Sequence, residues 1–389
     1  MIEDLKISKV INSAKKEALK AGVKTDKWYY ASIPCGTSRG KHEAKDVTYA
    51  KAKVIIRKIK PKVVGSDIDY KKIDKIIRNI DKTNNFSKVG GNLALGLSIA
   101  TARAQTGNEL WRLNGKKNIF PYPLVNVIGG GRHGGNTNFQ EFLIVPYKEK
   151  TFHAAYHKAR EIWLDIGKEL KRRKLLLGSN LENAWISKLN DVETLRFLQS
   201  LELDVKLGMD FAASSLWNGK YYVYEKSGKK FTKDEHFEFV NFLVKEFDLF
   251  YAEDMFHEDD FNSFAELRKL HKKRLIVGDD LTATNPKRLA MVIKKKSISG
   301  IIVKPNQVGN LTLTQQVVDM AKKNRIKIIP SHRSSETKDS WQADLCVAWG
   351  AHLFKSGIVG FDAPKLERLA QLWKKIPGAK MGKTIKFGS

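Results

Sequence analysis

Six ionisable residues stand at the ends of six short apolar runs: Asp210 after "LGM", Glu253 after "LFYA", Asp279 after "RLIVG", Lys304 after "GIIV", His332 after "IKIIPS" and Lys355 after "HLF". A single charged strand end ordinarily reaches water. Three carboxylates and three basic groups gathered at one place would repel within each sign unless a ligand balanced them. Carboxylates from three strands form an all-oxygen pocket that suits a hard cation such as magnesium rather than zinc. A lysine held inside beside cations has its ammonium disfavoured, and a lowered pKa lets its amine act as a base. Lys304, which closes an apolar run and precedes the Pro305-Asn306 turn, is the candidate general base, and Lys355 stands further along the same wall.

The elements that must position these residues follow from the pattern. After residue 118, short apolar runs alternate with helix-period segments such as "FHAAYHKAREIWLDIGKELKRR" and "LTLTQQVVDMAKKNR". Eight strands are expected: "LVNVI", "FQEFLIV", "LGMDFA", "LFYAED", "RLIVGDD", "GIIVK", "IKIIPSH" and "HLFKS". The last six are each followed by a helical pattern, which favours a closed α/β barrel whose C-terminal strand ends converge on one mouth. Residues far apart in sequence then become neighbours.

The chain has 389 residues, of which 42% are hydrophobic, enough for a barrel with a second domain. No apolar run approaches the roughly 18 residues of a membrane span, and the start "MIEDLKISKV" lacks signal-peptide regions, so a cytoplasmic protein is expected. The two cysteines, Cys35 and Cys346, are far apart and outside any CxxC, and read as reduced thiols rather than a disulfide or zinc framework. The net charge is +28, of which residues 1–118, with 26 basic and 11 acidic groups, carry +15. Such a surplus attracts polyanions, from phosphorylated metabolites to RNA, but no basic stretch is interleaved with aromatics and no nucleic-acid motif is present.

Five segments, in order, resemble the enolase family: "DKTNNFSKVGGNLALGLSIATARA", "NVIGGGRHGGNTNFQEFLIVP", "IVGDDLTATNPKRL", "GIIVKPNQVGNLT" and "PSHRSSETKDS". The resemblance runs from about "IPCGTSRGKHEA" to "KLERLAQ", and more faintly to the N-terminus. It implies an N-terminal α+β capping domain (1–118) on a TIM-like eight-stranded barrel (119–389) whose second strand is antiparallel. It implies a hydro-lyase that reversibly dehydrates 2-phosphoglycerate to phosphoenolpyruvate with two magnesium ions, in glycolysis and gluconeogenesis, as a homodimer or larger homo-oligomer. Carried over residue by residue, Asp210, Glu253 and Asp279 are the expected ligands of one magnesium, and Ser38 in the lid segment reaches the second. Lys304 matches the base, Lys355 a contact to the substrate carboxylate, and Arg333 and Ser334 phosphate contacts with His332 beside them. His133, Gln140 and Glu141 match active-site positions on the second strand and the loop before it, and the Gly-rich "GGGRHGG" reads as a mobile lid loop.

Five stretches depart from the family, one of them the segment after "KHEA", which is shorter than usual and bears on substrate fit. "NSAKKEA" stands where Asp-Ser-Arg-Gly-Asn-Pro-Thr is usual, near the expected subunit interface. The lid carries Cys35 and Arg39 in place of serine and threonine, and "KSGIVGFDAPKLER" replaces a shorter Lys-Thr-Gly-Ala-Pro run. At the general acid, "LLGSNLENAWISKL" replaces Gly-Asp-Glu-Gly: aligning on Gly178 puts Asn180 at the acid, whereas aligning on "LENAW" puts Glu182 there and also matches the spacing to "NDVETL". Glu182 is the preferred acid. The alternatives to a working enolase are a superfamily paralogue with another substrate or lost activity, and a protein that binds RNA or an acidic partner through its basic surface.

Overall fold

The computed structural model describes residues 1–36, 40–115 and 117–382. The N-terminal part is an antiparallel sheet, β1 (Asp4–Ile11), β2 (Glu17–Lys24) and β3 (Trp28–Ser32), with helices α1 (Tyr49–Val63), α2 (Tyr70–Asp81) and α3 (Gly91–Gln105). Alternation along β2 and β3 turns Leu19, Ala21, Val23, Tyr29 and Ala31 inward. Helix α3 is buried almost all round and approaches the sheet closely at Gly96, where a Cβ would stand 2.8 Å from Ala21 Cβ. On the outer face, Lys6 and Lys20 lie over Trp28 and Tyr30, 3.9 and 4.5 Å from the ring centroids. Basic and aromatic groups that are apart in the sequence thus interleave in space.

The eight expected barrel strands are all present, from barrel strand one, Tyr122–Gly129, and two, Glu141–Val145, through three, Lys206–Asp210, four, Tyr251–Glu253, five, Leu275–Gly278, and six, Gly300–Val303, to seven, Lys327–Pro330, and eight, Leu353–Ser356. Strand two is antiparallel to strands one and three, and the other ladders are parallel. Strand eight pairs with strand one, while strands seven and eight share one parallel bridge, Ser331 with Lys355, in place of a ladder. The reversal of strand two has a direct consequence. It brings the beginning of that strand to the mouth where the others end, so Glu141 pairs in register with Asp210, and Asp210 with Glu253.

A hairpin of Leu176–Ser179 and Trp185–Ser187 extends the sheet beside strand one. Its base is fixed by Trp185, which stacks on Trp163 of α4 (Phe152–Arg172) with centroids 4.6 Å apart. Trp163 Nε1 donates to the Asn183 carbonyl at 2.9 Å, tying the hairpin's loop to the helix below. The N-terminal part is joined to the barrel by part-buried polar contacts. Arg103 grips Asp339 at 2.6 and 3.1 Å, and Asp339 accepts the Ser32 N–H at 2.8 Å. The departed turn "NSAKKEA" packs here too: Ser13 Oγ donates to the Ser334 carbonyl at 3.2 Å and accepts the Glu336 N–H at 3.0 Å. Among the described residues no helix is long and apolar enough to cross a membrane.

Candidate active site

The barrel mouth holds a cavity of about 250 Å3, lined by His133, Gln140, Glu141, Glu182, Asp210, Asp279, Lys304, His332, Arg333, Ser334 and Lys355 among others. Glu253, fully buried, forms part of the floor beneath them. Ser38 lies outside the described residues, so the lid's expected contact falls outside them as well. Every other residue expected at the site is brought together.

Each side chain is placed by its strand. Asp210 and Glu253 are the last residues of strands three and four, and Asp279 and Lys304 follow strands five and six directly. Lys355, inside strand eight, sends Nζ to Glu253 Oε2 at 2.8 Å, Asp210 Oδ2 at 2.9 Å and Glu141 Oε2 at 3.0 Å. Burial alone would lower its pKa, but these three carboxylates raise it well above the ordinary lysine value. Lys304 forms an ion pair with Asp279, whose other oxygen accepts from Gln307 Nε2 at 2.9 Å. The lowering expected of a lysine beside cations is opposed here by a close acid. Burial, Arg333 and Lys355 do push Lys304 down, yet Asp279 outweighs them and its pKa is raised.

The carboxylates are strained for charge. Burial and the repulsion of Asp210, Asp279 and Glu141 push Glu253 up to about 8 against the pull of Lys355. Tyr251 donates its hydroxyl to Glu253 Oε2, while Glu253 Oε1 is buried with no hydrogen-bond partner among the described residues. Beside them, Asp254 accepts the N–H groups of Asp279 and Asp280 at 2.9 and 2.7 Å, and Asp280 is pushed up to about 7 chiefly by burial and Asp279. Ligand atoms within 4.8 Å of one another occur in Asp254–Asp279–Asp280 and in His133–Glu141–Glu182. The expected trio Asp210, Glu253 and Asp279 is not such a group; the ammonium groups of Lys304 and Lys355 stand against its oxygens. Oxygen donors with excess negative charge and an unpartnered buried oxygen fit a divalent cation.

The opposite wall carries Glu182. Its carboxylate accepts from Asn126 Nδ2 at 3.1 Å and stands 3.7 Å from His133 Nδ1 and 3.9 Å from His332 Nε2. Burial would raise its pKa, but His133, His332, Asn126 and Lys355 together lower it. Asn180 does a different job. Its Oδ1 accepts the N–H groups of Glu182 and Ala184, both at 3.0 Å, so it shapes the loop that presents Glu182, and it is not among the residues lining the cavity. Arg333, expected to face a phosphate, lays its fork on Glu43 at 2.9 and 3.3 Å and on Asn306 at 3.2 Å.

Several contributors escaped the sequence reading. Asp254, Asp280, Gln307 and Glu43 line the cavity, and consecutive acids in "YAED" and "VGDD" were the visible signal for the first two. Asp362, which touches His332, had no local signal beyond lying in a departed stretch.

With this geometry stand the relationships of the chain. The model for "Enolase, N-terminal domain" matches residues 2–113, and that for "Enolase, C-terminal TIM barrel domain" matches residues 117–376. An enolase of Archaeoglobus fulgidus is 36% identical over 378 residues, covering 92% of this chain and 94% of its own length. One of Pyrobaculum aerophilum is 37% identical over 368 residues, 88% of this chain and 87% of its own. One of Methanothermobacter thermautotrophicus is 33% identical and covers 98% of both chains. With both family domains matched over nearly its whole length and an acidic, lysine-lined barrel mouth in place, the chain belongs to the enolase family and is a lyase of the phosphopyruvate hydratase class.

Proposed function

We propose that this chain reversibly dehydrates 2-phosphoglycerate to phosphoenolpyruvate, with residues 1–118 as the cap and 119–389 as the catalytic barrel. The observation that carries the reading is one cavity walled by a half-buried lysine, Lys304, on one side and the buried Glu182 on another, with carboxylates and the buried Lys355 between them. A lysine base with magnesium is this family's established chemistry. Asp210, Glu253 and Asp279 would hold one ion, and Ser38 a second. When bound, the ions would neutralise the carboxylates that now grip Lys304 and Lys355 and stabilise the charge that develops on the substrate carboxylate.

Lys304 takes the C2 proton. Lys355 and Gln140 orient the substrate carboxylate, Arg333 and Ser334 receive the phosphate, and Arg333 exchanges Glu43 for it as an equivalent fork partner. Glu182 protonates the departing C3 hydroxyl. In the ligand-free protein the neighbouring cations hold Glu182 ionised, and a substrate bearing phosphate and carboxylate adds the negative charge that favours its protonated form. Glu141 and His133 flank that carboxyl. A coupled absorbance assay of phosphoenolpyruvate formation from 2-phosphoglycerate, with and without added magnesium, tests the reading: magnesium-dependent formation supports it, and no formation at any magnesium concentration overturns it.

A further inference from the structure

Two of the departed stretches touch each other. The loop after strand eight, Gly357 to Asp362, packs on the loop Asn180 to Ala184 that carries Glu182. A Cβ built on Gly357 would stand 2.6 Å from Asp362 Oδ2 and 2.6 Å from the Glu182 carbonyl oxygen, so only glycine lets the loops close to this distance. One built on Gly360 would stand 2.5 Å from Asn183 Nδ2, which itself lies 3.4 Å from the Val359 carbonyl.

Across this contact runs a line of alternating charge. Lys365, fully buried, lies 3.0 Å from Glu336 Oε2 and 3.8 Å from Asp362 Oδ1. Asp362 Oδ1 is 3.0 Å from His332 Nδ1, and the far ring nitrogen, Nε2, faces Glu182 Oε2 at 3.9 Å. Asp362, His332 and Glu182 are each at most 4% exposed, so water screens none of these pairs.

We propose that Asp362, supplied by the lengthened loop, is the positioning residue of the acid wall: it fixes the ring and the charge of His332, and through His332 the direction in which Glu182 meets the departing hydroxyl. The proposal rests on the reading of Glu182 as the acid. Asp362 lines no part of the cavity and acts only through the histidine. Carboxylate on Nδ1 sets which ring edge faces Glu182, in the manner of other histidines oriented by a buried acid. The charged groups that face His332 are Asp362 from the lengthened loop, Glu182 from the hairpin loop and Glu141 from strand two, with Lys365 behind Asp362 and His133 beyond Glu182. Burial alone would discharge the imidazole, but Asp362 in first place raises it to about 9. His332 is therefore a cation beside Glu182 throughout the neutral range, and loses that role only as pH rises past about 9.

The test uses the full chain labelled with 15N-histidine. It has 9 histidines, and His332→Gln assigns the His332 signal. The imidazole of the parent should titrate near pH 9, in Asp362→Asn it should titrate roughly 1–3 pH units lower, and Asp362→Glu should return it toward the parent. The alkaline limb of phosphoenolpyruvate formation should shift in Asp362→Asn along with that titration, while exchange of the C2 proton with deuterated solvent keeps its parental profile. An unmoved titration in a folded Asp362→Asn overturns the proposal, and so does a moved titration with an unmoved limb. A parent that forms no phosphoenolpyruvate defeats the functional reading instead, and the titration alone then still decides whether Asp362 charges His332.

Discussion

The two walls of the cavity are built by different means. Asp210, Glu253, Asp279, Lys304 and Lys355 sit in or directly after barrel strands three to six and eight, and each is aimed by a ladder register of a few residues. Glu182, His332 and Asp362 come from a hairpin loop, the bend after strand seven and the loop after strand eight, held by contacts between loops. A strand end cannot be altered without shifting a ladder. Loops can be rebuilt, provided that those in contact change together, and both departures nearest the chemistry fall on the loop-built wall.

Replacing Lys304 by alanine should have the largest effect. It removes the proposed base from the strand-built wall, so C2 proton exchange and phosphoenolpyruvate formation should fall together by about 10^4-fold, with the fold retained. Exchange at the parental rate, followed by NMR in deuterated water, would move the base elsewhere.

On the other wall the two steps should separate. Glu182→Gln should keep C2 exchange while phosphoenolpyruvate formation falls by roughly 10^2–10^4-fold, because the acid acts after deprotonation. Asn180→Ala removes a side chain that accepts two backbone N–H groups in the loop, and should cost only about tenfold through a looser Glu182. The reverse ranking would give Asn180 the acid's place and leave this chain with an amide where a proton is needed.

Glu253→Gln sits between these in kind, since it keeps size and removes one charge from the carboxylate set. The magnesium concentration for half-maximal activity should rise by roughly 10–100-fold, with activity recovering at saturating metal. An unchanged metal titration would remove Glu253 from the ligand set.

The same contrast governs how much could be read beforehand. Strand ends are legible because apolar runs followed by Asp, Glu or Lys are local patterns, and the barrel then brings them to one mouth whatever the intervening helices are. Glu182 was legible only as a choice between two alignments; in space Glu182 lines the cavity, whereas Asn180 turns to its own backbone. Asp362 was not legible at all, because its meaning lies in a contact with His332, 30 residues away, and in the packing of its loop on residues near 180. The pairing of Lys304 with Asp279 was not legible for a related reason: burial and cationic neighbours were visible in the pattern, whereas that pairing is a matter of rotamer and distance. The basic and aromatic interleaving on the N-terminal sheet was missed because Lys6, Lys20, Trp28 and Tyr30 come from three different strands.

A buried acid outside both walls provides the control, and the smallest expected effect on catalysis. Asp74 of α2 accepts the Thr312 N–H at 2.9 Å and Thr312 Oγ1 at 2.6 Å, joining the N-terminal part to the barrel helix Leu311–Lys323. Burial raises it from 3.8 to about 7, against the hydrogen bonds of Thr312 and Ser98. A raised folded-state value means that the folded protein binds the proton more tightly than the unfolded chain does. The stability from the neutral carboxyl is therefore full below pH 3.8 and is lost as pH rises to about 7. The shift of about 3 pH units sets an upper bound on the order of 4 kcal/mol on that loss. Asp74→Asn keeps an acceptor for Thr312 and has no charge to bury, so its melting temperature should exceed the parent's by a few °C at pH 8 and by less at pH 5, with C2 exchange and dehydration unchanged. A gain that does not grow with pH would show that Asp74 is ionised and solvated at this junction, and a loss of activity would show that the cap's seating on the barrel sets the geometry of the walls themselves.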